Sequence, residues 1–207
     1  MLELSHIARS FGSHAVLQNI SATFSAGALH LLGGSNGSGK STLFKIIAGL
    51  LRPTEGDIRF SHPDPRILYV GHATFLYPNL TALENLAFWN TCYGGELHEE
   101  DLMQWLNTFG LLPFADDCPR VFSRGMAQKL SLARAFMLKP DLLLLDEPAT
   151  GLDQAAQDLL RSQIQRKKEE GCCILLVSHH LEQEKGLADT VHIIEQGTLV
   201  PFVQTRS

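Results

Sequence analysis

Gly34-Ser35-Asn36-Gly37-Ser38-Gly39-Lys40-Ser41 is a complete G-x-x-x-x-G-K-[ST] motif, and it decides the fold. Its three glycines allow the backbone to curl so that several N–H groups face one point. Lys40 supplies a positive charge for the β- and γ-phosphates of a nucleotide, and the Ser41 hydroxyl is a ligand for Mg²⁺. The apolar run at 28–32 predicts a strand before the loop, and the apolar spacing at 42–48 predicts a helix after it. The motif therefore predicts a nucleotide-binding loop between a strand and a helix.

The composition is that of a globular protein rather than a nucleic-acid-binding one. The chain has 207 residues, of which 44% are hydrophobic and 19% charged, and its net charge is −5. This acidic balance lacks the basic footprint of a nucleic-acid-binding domain. Cys172 and Cys173 lie in a strand-like apolar run, and the four cysteines have no C-x-x-C spacing, so we expect buried, reduced thiols. The sequence contains no apolar run long enough to span a bilayer and no signal peptide, so we expect a cytosolic protein.

The hydrophobic pattern divides the chain into strand-rich and helix-rich parts. Alternation and apolar runs predict strands at 2–8, 15–24, 57–60, 66–70, 141–145, 172–177 and 191–194. Thr81 and Glu84 form a capping box that starts a first helix. Helical spacing predicts further helices at 99–109, 126–138 and 154–170. We therefore expect a parallel sheet covered on both faces, an antiparallel N-terminal part, and a helical block at about 80–138.

A second motif brings carboxylates to the end of a predicted buried strand. Leu142-Leu143-Leu144-Leu145 is followed directly by Asp146 and Glu147. Beside a phosphate-binding loop, this arrangement predicts that Asp146 lies near Mg²⁺ and that Glu147 acts as general base on the attacking water. Taken alone, the same residues could form a solvated acidic turn, but the loop upstream favours the catalytic interpretation.

Three further motifs make the chain resemble the nucleotide-binding subunit of an ABC transporter over nearly its whole length. Ser123-Arg124-Gly125-Met126-Ala127-Gln128 resembles the family signature, Thr150-Gly151-Leu152-Asp153 resembles its D-loop, and Val177-Ser178-His179 resembles its switch-histidine loop. The resemblance implies an α/β fold. Its P-loop NTPase core is a parallel sheet with flanking helices, joined by an N-terminal antiparallel β subdomain and an inserted helical subdomain at about 80–138. Residues 1–207 would form a single ATP-binding domain.

The resemblance also implies ATP and Mg²⁺ as cofactors and a set of site residues. Catalysis would fall to Glu147 and to His179 as the γ-phosphate sensor, and Ser41 and Asp146 would hold the metal. The nucleotide contacts implied are Phe11 on adenine, Gly34, Ser35, Asn36, Gly37, Ser38, Gly39, Lys40, Ser41 and Thr42 on phosphate, and Ser123, Gly125 and Asp153 across a dimer. Simpler alternatives stay open at three of these positions. Ser123 could be only a helix N-cap, His179 a core histidine, and Phe11 a packing residue.

The sequence departs from the family pattern at the Q-loop and in the signature. His72 stands where the family has a glutamine, and Arg124 and Met126 replace the usual glycine and glutamine. A neutral imidazole can donate or accept one hydrogen bond. His72 therefore has either a direct catalytic or metal-linked role, or the role of a structural hinge.

The same departure points to a subfamily. Gly71-His72 and the run Leu80-Thr81-Ala82-Leu83-Glu84-Asn85-Leu86-Ala87-Phe88-Trp89 resemble the ATP-binding subunit of cytochrome c biogenesis, or haem export. The resemblance to ABC transporters as a whole implies a homodimer with two sandwiched ATPs, located peripherally on the cytoplasmic face of the inner membrane. It also implies integral membrane subunits that dock near Phe75, Tyr77 and Trp89, and no nucleic acid.

Two other functions stay open: the ATPase of another export system for lipids, drugs or ions, and a soluble ABC ATPase in iron–sulfur assembly. Ser123 follows His72 by only 51 positions, which leaves no room for the long coiled coil of DNA-repair relatives.

Overall fold

The computed structural model describes residues 2–178 and 184–201. His179, predicted as the phosphate sensor, lies outside the described residues. The chain forms two compact units. The first, here called the sheet unit, comprises Met1–Gly71, Pro140–Glu147 and Lys167–Ser207, and the second, the helical unit, comprises His72–Lys139 and Pro148–Arg166.

The sheet unit contains all nine described strands and the helix that follows the phosphate-loop motif. The strands are β1 (Leu2–Phe11), β2 (His14–Phe24), β3 (Leu29–Gly33), β4 (Glu55–Phe60), β5 (Ile67–Val70), β6 (Leu142–Asp146), β7 (Cys173–Val177), β8 (Thr190–Glu195) and β9 (Thr198–Pro201). Helix α1 spans Lys40–Ile47. The strands form an antiparallel sheet of order β2-β1-β4 and a six-stranded sheet of order β5-β6-β7-β3-β8-β9.

The six-stranded sheet places two predicted motifs along one edge. Strands β5, β6, β7, β3 and β8 run parallel, and only β9 is antiparallel to its neighbour. Every residue of β3, β6 and β7 is buried, as expected of strands covered on both faces. Because the carboxyl ends of parallel strands share an edge, the loop after β3 and the carboxylates that end β6 lie at the same edge of the sheet.

The adjacent cysteines are buried in this sheet unit. Cys172 and Cys173 are free thiols with 3% and 2% of their surface exposed. Burial raises the pKa of Cys172 to about 12 and that of Cys173 to about 11, so both stay protonated near neutral pH. The expectation of buried, reduced thiols is confirmed.

The helical unit is built from α2 (Ala82–Cys92), α3 (Glu99–Thr108), α4 (Arg124–Met137) and most of α5 (Gln154–Glu169). The predicted capping box starts α2, since the Thr81 hydroxyl accepts from the Glu84 N–H at 3.1 Å and the Glu84 carboxylate accepts from the Thr81 N–H at 2.7 Å. Single 3₁₀ turns at Leu112–Phe114 and Pro119–Val121 precede α4. Among residues 2–178 and 184–201, none of the helices is both long and apolar enough to cross a bilayer.

The α/β architecture with an added antiparallel sheet confirms the predicted fold class. The predicted strands at 57–60 and 66–70 are both present, as parts of β4 and β5, but they belong to different sheets. Local alternation predicts that a segment is a strand, whereas its partner is set by long-range packing. The division into one domain with a helical subdomain at about 80–138 stays a prediction.

Candidate functional site

The phosphate-loop motif forms a curled loop that only glycine allows at two positions. Gly34 and Gly39 have φ of 134° and 107°, in the region that residues with a Cβ rarely adopt. A Cβ at position 34 would lie 2.5 Å from the Ile194 carbonyl oxygen, and one at position 39 would lie 2.5 Å from Leu17 Cδ2. The loop is therefore fixed by close backbone packing within the sheet unit.

The Lys40 side chain is hydrogen-bonded to the backbone of its own loop. Its ammonium donates to the carbonyl oxygens of Gly34 and Ser35, at 2.8 Å each, and only 8% of the residue is exposed. Helix α1 starts at Lys40 with Gly39 as its N-cap, and no side chain caps it within the described part of the chain. A buried cation and an open helix N-terminus therefore lie in one loop, which is an arrangement that attracts an anion.

Ser38 Oγ and Asp146 Oδ1 are buried oxygens of the sheet unit that lack a hydrogen-bond partner among residues 2–178 and 184–201. A buried polar atom without a partner costs about 1–3 kcal/mol. Asp146 is 1% exposed, and its other oxygen, Oδ2, accepts from the Tyr69 hydroxyl at 3.3 Å. Together with the Ser41 hydroxyl in the first turn of α1, Asp146 offers the oxygen donors that Mg²⁺ prefers, so the residues present fit that ion.

Glu147 has an unusual backbone conformation that the sequence analysis did not predict. Its φ is 55°, in the left-handed region, and its N–H donates to the Val177 carbonyl oxygen at 3.0 Å. Such a conformation costs a residue with a side chain about 1–3 kcal/mol and is typical of functional positions. Pro148 after it disfavours a right-handed helical conformation at Glu147, which is the only local signal for this turn.

In the helical unit, the signature starts α4 and packs against the D-loop. The Ser123 hydroxyl accepts from the Met126 N–H at 3.2 Å, so the N-cap expected as the simpler role of Ser123 is present. A Cβ at Gly125 would lie 2.9 Å from the Gly151 carbonyl oxygen. This close approach requires glycine at position 125, and it joins the two motifs within one unit.

Two polar side chains that the sequence analysis did not select join the signature helix to the segment 148–153, which ends in the D-loop. Gln128 Nε2 donates to the Pro148 carbonyl oxygen at 3.0 Å, and Lys129 Nζ lies 3.0 Å from Asp153 Oδ2. The other oxygen of Asp153 accepts from the Ala156 N–H at 2.8 Å. This backbone hydrogen bond first, and Lys129 second, lower the pKa of Asp153. Asp153 therefore has a structural role besides the nucleotide contact predicted for it.

The helical unit also exposes an aromatic surface formed by Phe75, Tyr77, Phe88 and Trp89. Phe75 is 52% exposed, Tyr77 42% and Phe88 39%, and the rings of Tyr77 and Phe88 meet edge to face at 4.6 Å. Within this surface, Phe88 and Trp89 also meet edge to face, at 5.8 Å. Exposed aromatic rings of this kind make the surface a candidate interaction site.

Buried polar side chains hold the loop that carries this aromatic surface. Arg134 donates to the Phe75 carbonyl oxygen at 3.1 Å and places its guanidinium 4.8 Å from the centre of the Trp89 ring, while burial lowers its pKa to about 10. Asn85 bonds both the N–H and the carbonyl of Tyr77. The surface is therefore preorganised, with Phe75 in a left-handed conformation at φ 52°.

The remaining predicted site residues are exposed. Phe11 ends β1 with 48% of its surface accessible, and the Arg9 guanidinium lies 4.6 Å from its ring centre. His72 is exposed and follows Gly71 directly after β5. The structure thus groups residues 34–42 with Asp146 and Glu147 in the sheet unit, and Ser123 and Gly125 with Asp153 in the helical unit.

Comparison with known proteins gives one consistent family. Residues 17–150 match the family model described as ABC transporter. The chain is 32% identical over 212 residues to the linearmycin resistance ATP-binding protein of Bacillus subtilis, covering 97% of this chain and 68% of that protein. It is 35% identical over 206 residues to a lantibiotic transport ATP-binding protein of Streptococcus pyogenes, covering 97% and 89%. A solved ATP-binding subunit of an ABC transporter superposes with a TM-score of 0.87 at 30% identity, covering 98% of this chain and 90% of that one. The chain therefore belongs to the ABC transporter family and carries the ATPase domain of that family.

Proposed function

We propose that the protein is the subunit that binds and hydrolyses MgATP to drive an ABC transporter. The observation that carries this proposal is the edge of the sheet unit where Lys40, the uncapped start of α1 and the unpartnered Asp146 oxygen occur together. Lys40 would exchange its two loop carbonyls for the β- and γ-phosphates, and the N–H groups of the loop would bind the phosphate oxygens. Ser41 and Asp146 would hold Mg²⁺, which supplies charge neutralisation when bound.

Glu147 is the proposed general base. Its left-handed backbone conformation projects a half-buried carboxylate from the end of β6, where it would take a proton from the attacking water. Replacing it by glutamine keeps the shape of the side chain and removes the base. We expect Glu147→Gln to lower ATP turnover at least about 100-fold while ATP still binds. Turnover is measured by phosphate release, and Glu99→Gln, on an exposed position of α3, is the matched control.

We propose that the active form is a twofold homodimer with two ATPs at its interface. Ser123 and Gly125 at the start of α4 would contact the γ-phosphate bound by the partner subunit, so each subunit supplies half of each site. The Glu147→Gln variant should then accumulate as an ATP-dependent dimer in size-exclusion chromatography. Normal hydrolysis by that variant would refute the base, and a monomer at saturating ATP would refute the shared site.

His72 is proposed to replace the family glutamine. Its exposure after Gly71 supports a residue that is available to a ligand or to a moving segment. If its ring acts on the water or the metal, His72→Ala should lower turnover and His72→Gln should restore it. An unchanged rate in His72→Ala with intact coupling to transport would support the hinge role instead.

The aromatic surface is the proposed docking site for integral membrane subunits. Phe75, Tyr77 and Phe88 expose apolar rings on a loop that buried polar side chains hold in place. Such docking would keep the protein on the cytoplasmic face of the inner membrane. An affinity-tagged chain should recover integral membrane proteins, and Phe75→Ser should reduce that recovery. Recovery of iron–sulfur scaffold proteins alone would support the soluble alternative.

For cargo, we propose haem export in cytochrome c-type biogenesis. The support is the resemblance of Gly71-His72 and the run Leu80–Trp89 to that subfamily. The names of the reported relatives favour a second candidate, the export of antibiotics or lantibiotics. A deletion strain separates the two. Loss of haem-stained c-type cytochromes, restored by the wild-type gene and not by Glu147→Gln, supports the first. Intact cytochromes with a gain in lantibiotic sensitivity support the second.

A further inference from the structure

A tyrosine on β5 reaches the carboxylate that ends β6. Tyr69 pairs in register with Leu144, so Asp146, two residues further along β6, points to the same face of the sheet. The Tyr69 hydroxyl donates to Asp146 Oδ2 at 3.3 Å. The carboxylate that accepts this hydrogen bond is 1% exposed.

The hydrogen bond makes the two oxygens of Asp146 unequal. Oδ2 is occupied by the hydroxyl, whereas Oδ1 is buried without a partner among residues 2–178 and 184–201. A carboxylate on a short side chain can rotate about its last bond, and either oxygen could then face a ligand. A hydroxyl fixed on one oxygen prevents that rotation and leaves the other oxygen in a defined place.

Gly71 provides the space for this tyrosine. A Cβ built at Gly71 would collide with the hydroxyl and the Cζ of Tyr69. The backbone at Gly71 does not need glycine for its φ, so the requirement comes from the close approach of the ring. This gives a physical reason for the glycine that stands before His72.

We propose that Tyr69 is a positioning residue that orients Asp146 toward a divalent cation, and that Gly71 admits the ring to that position. The inference rests on the proposed function, because it assigns a role within the same MgATP site. Outer-shell hydrogen bonds of this kind typically change metal affinity about 10- to 100-fold when they are removed. The tyrosine neither touches the nucleotide nor transfers a proton.

The test is the affinity for Mn²⁺, followed by electron paramagnetic resonance with ADP bound to the purified full chain. Tyr69→Phe removes only the hydroxyl and should weaken Mn²⁺ binding about tenfold. ADP affinity in EDTA should stay at the wild-type value, whereas the melting temperature without metal should fall, because Asp146 Oδ2 loses its donor. A merely structural tyrosine would lower the melting temperature and leave Mn²⁺ affinity unchanged, which would overturn the inference. Tyr93→Phe, at the C-cap of α2 in the helical unit, is the matched control.

A second variant reaches the same hydrogen bond from the other side. Gly71→Ala should displace the ring and weaken Mn²⁺ binding in the Tyr69 background, but cause no further weakening in the Tyr69→Phe background. Equal losses in the two backgrounds would overturn the role of Gly71. A wild-type protein that binds no nucleotide would overturn the proposed function and this inference together. If the wild-type protein binds Mn²⁺ and ADP and the Tyr69→Phe variant binds Mn²⁺ with the same affinity, this inference alone is overturned.

Discussion

The two helix starts that carry the nucleotide motifs are built in opposite ways. Helix α1 starts at Gly39 without a side-chain cap, beside the unpartnered Ser38 hydroxyl. Helix α4 has Ser123 as its N-cap, and its Gln128 is hydrogen-bonded to Pro148, just before the D-loop. The first region holds polar groups without protein partners, whereas the second satisfies its polar groups within the helical unit.

This difference indicates that the phosphate-loop region determines ATP affinity and that the signature region acts on hydrolysis. Buried groups left without partners lower the stability of the ligand-free protein, and a ligand that satisfies them recovers that free energy as affinity. A region whose polar groups are already paired has little to gain from a ligand and serves better as a preformed surface. We therefore expect the sheet unit to determine ATP affinity, and the signature region to affect hydrolysis while leaving affinity nearly unchanged.

Lys40→Ala should cause the largest effect that we expect, because it weakens ATP binding by the phosphate loop. It removes the buried ammonium, so ATP affinity should fall at least about 30-fold, equivalent to about 2 kcal/mol for a buried charge pair. Hydrolysis should fall to background. Titration calorimetry measures the affinity, and Lys45→Ala is the control because Lys45 is exposed on the same helix. Equal affinities in the two variants would contradict the assignment of Lys40.

Gly125→Ala should impair ATP hydrolysis through the signature region and leave ATP affinity unchanged. The added methyl would meet the Gly151 carbonyl oxygen at 2.9 Å, so α4 and the D-loop must separate. We expect turnover to fall about tenfold, equivalent to about 1.4 kcal/mol in the barrier, with ATP affinity unchanged. Gly110→Asn is the control, because a Cβ at Gly110 meets no atom within 4 Å and asparagine tolerates its φ of 68°. A parallel loss of affinity would mean that the two regions are not separable.

Gln128→Ala should measure how firmly the signature region is held. The side chain is 7% exposed, and its removal leaves the Pro148 carbonyl without its donor. Loss of this bond should destabilise the ligand-free protein by about 1–3 kcal/mol. Urea unfolding gives the change, with Gln104→Ala on an exposed position of α3 as the control. A variant as stable as wild type would show that the D-loop contact is weak.

Acid pH should weaken the sheet unit through two histidines, His30, which is buried, and His192, which is half-buried. Burial is the main cause that lowers the pKa of His30 and of His192 below their usual value of 6.5. Each therefore binds its proton less readily in the fold than in the unfolded chain, so the unfolded chain binds more protons as the pH falls below about 6.5. Stability should be constant above that pH and fall as the pH decreases below it.

His30→Gln should reduce this acid sensitivity. Glutamine can accept the hydrogen bond that His30 Nε2 receives from the Ser25 N–H, at 3.0 Å, but it does not titrate. The melting temperature should therefore change less between about pH 7.5 and about pH 5.5 than in wild type. His14→Gln, on an exposed position of β2, is the control. An unchanged pH dependence in His30→Gln would exclude this residue as the source.

The sequence predicts the motifs and the elements around them because both are local. The phosphate loop is set by its glycines, and α2 starts at the predicted Thr81 because the capping box lies within four residues. The buried strand β6 and its terminal carboxylates follow from an apolar run that ends in Asp146 and Glu147. The type and order of these elements could therefore be predicted from the sequence alone.

The side-chain contacts around the site could not be predicted from the sequence, because they join residues that are far apart in the chain. Tyr69 and Asp146 are separated by 77 positions, and Gln128 and Pro148 by 20. Neither pair carries a periodic or compositional signal. The left-handed Glu147 is likewise held by a hydrogen bond to Val177 on a neighbouring strand. These features depend on which strands and loops become neighbours, and that is decided by packing of the whole chain.

Ser38→Ala is the smallest change and the sharpest test of the comparison. Its hydroxyl is buried without a partner among residues 2–178 and 184–201, so its removal should leave the ligand-free protein as stable as wild type or up to about 1 kcal/mol more stable. If the hydroxyl is kept for a phosphate, ATP affinity should fall by a similar amount, and the stabilisation by saturating ATP should shrink. Thermal unfolding with and without ATP measures both. Gln128→Ala should do the opposite, with lower ligand-free stability and unchanged affinity. A Ser38→Ala variant that is destabilised without ligand would place Ser38 with the paired groups of the signature region and remove the distinction between the two helix starts.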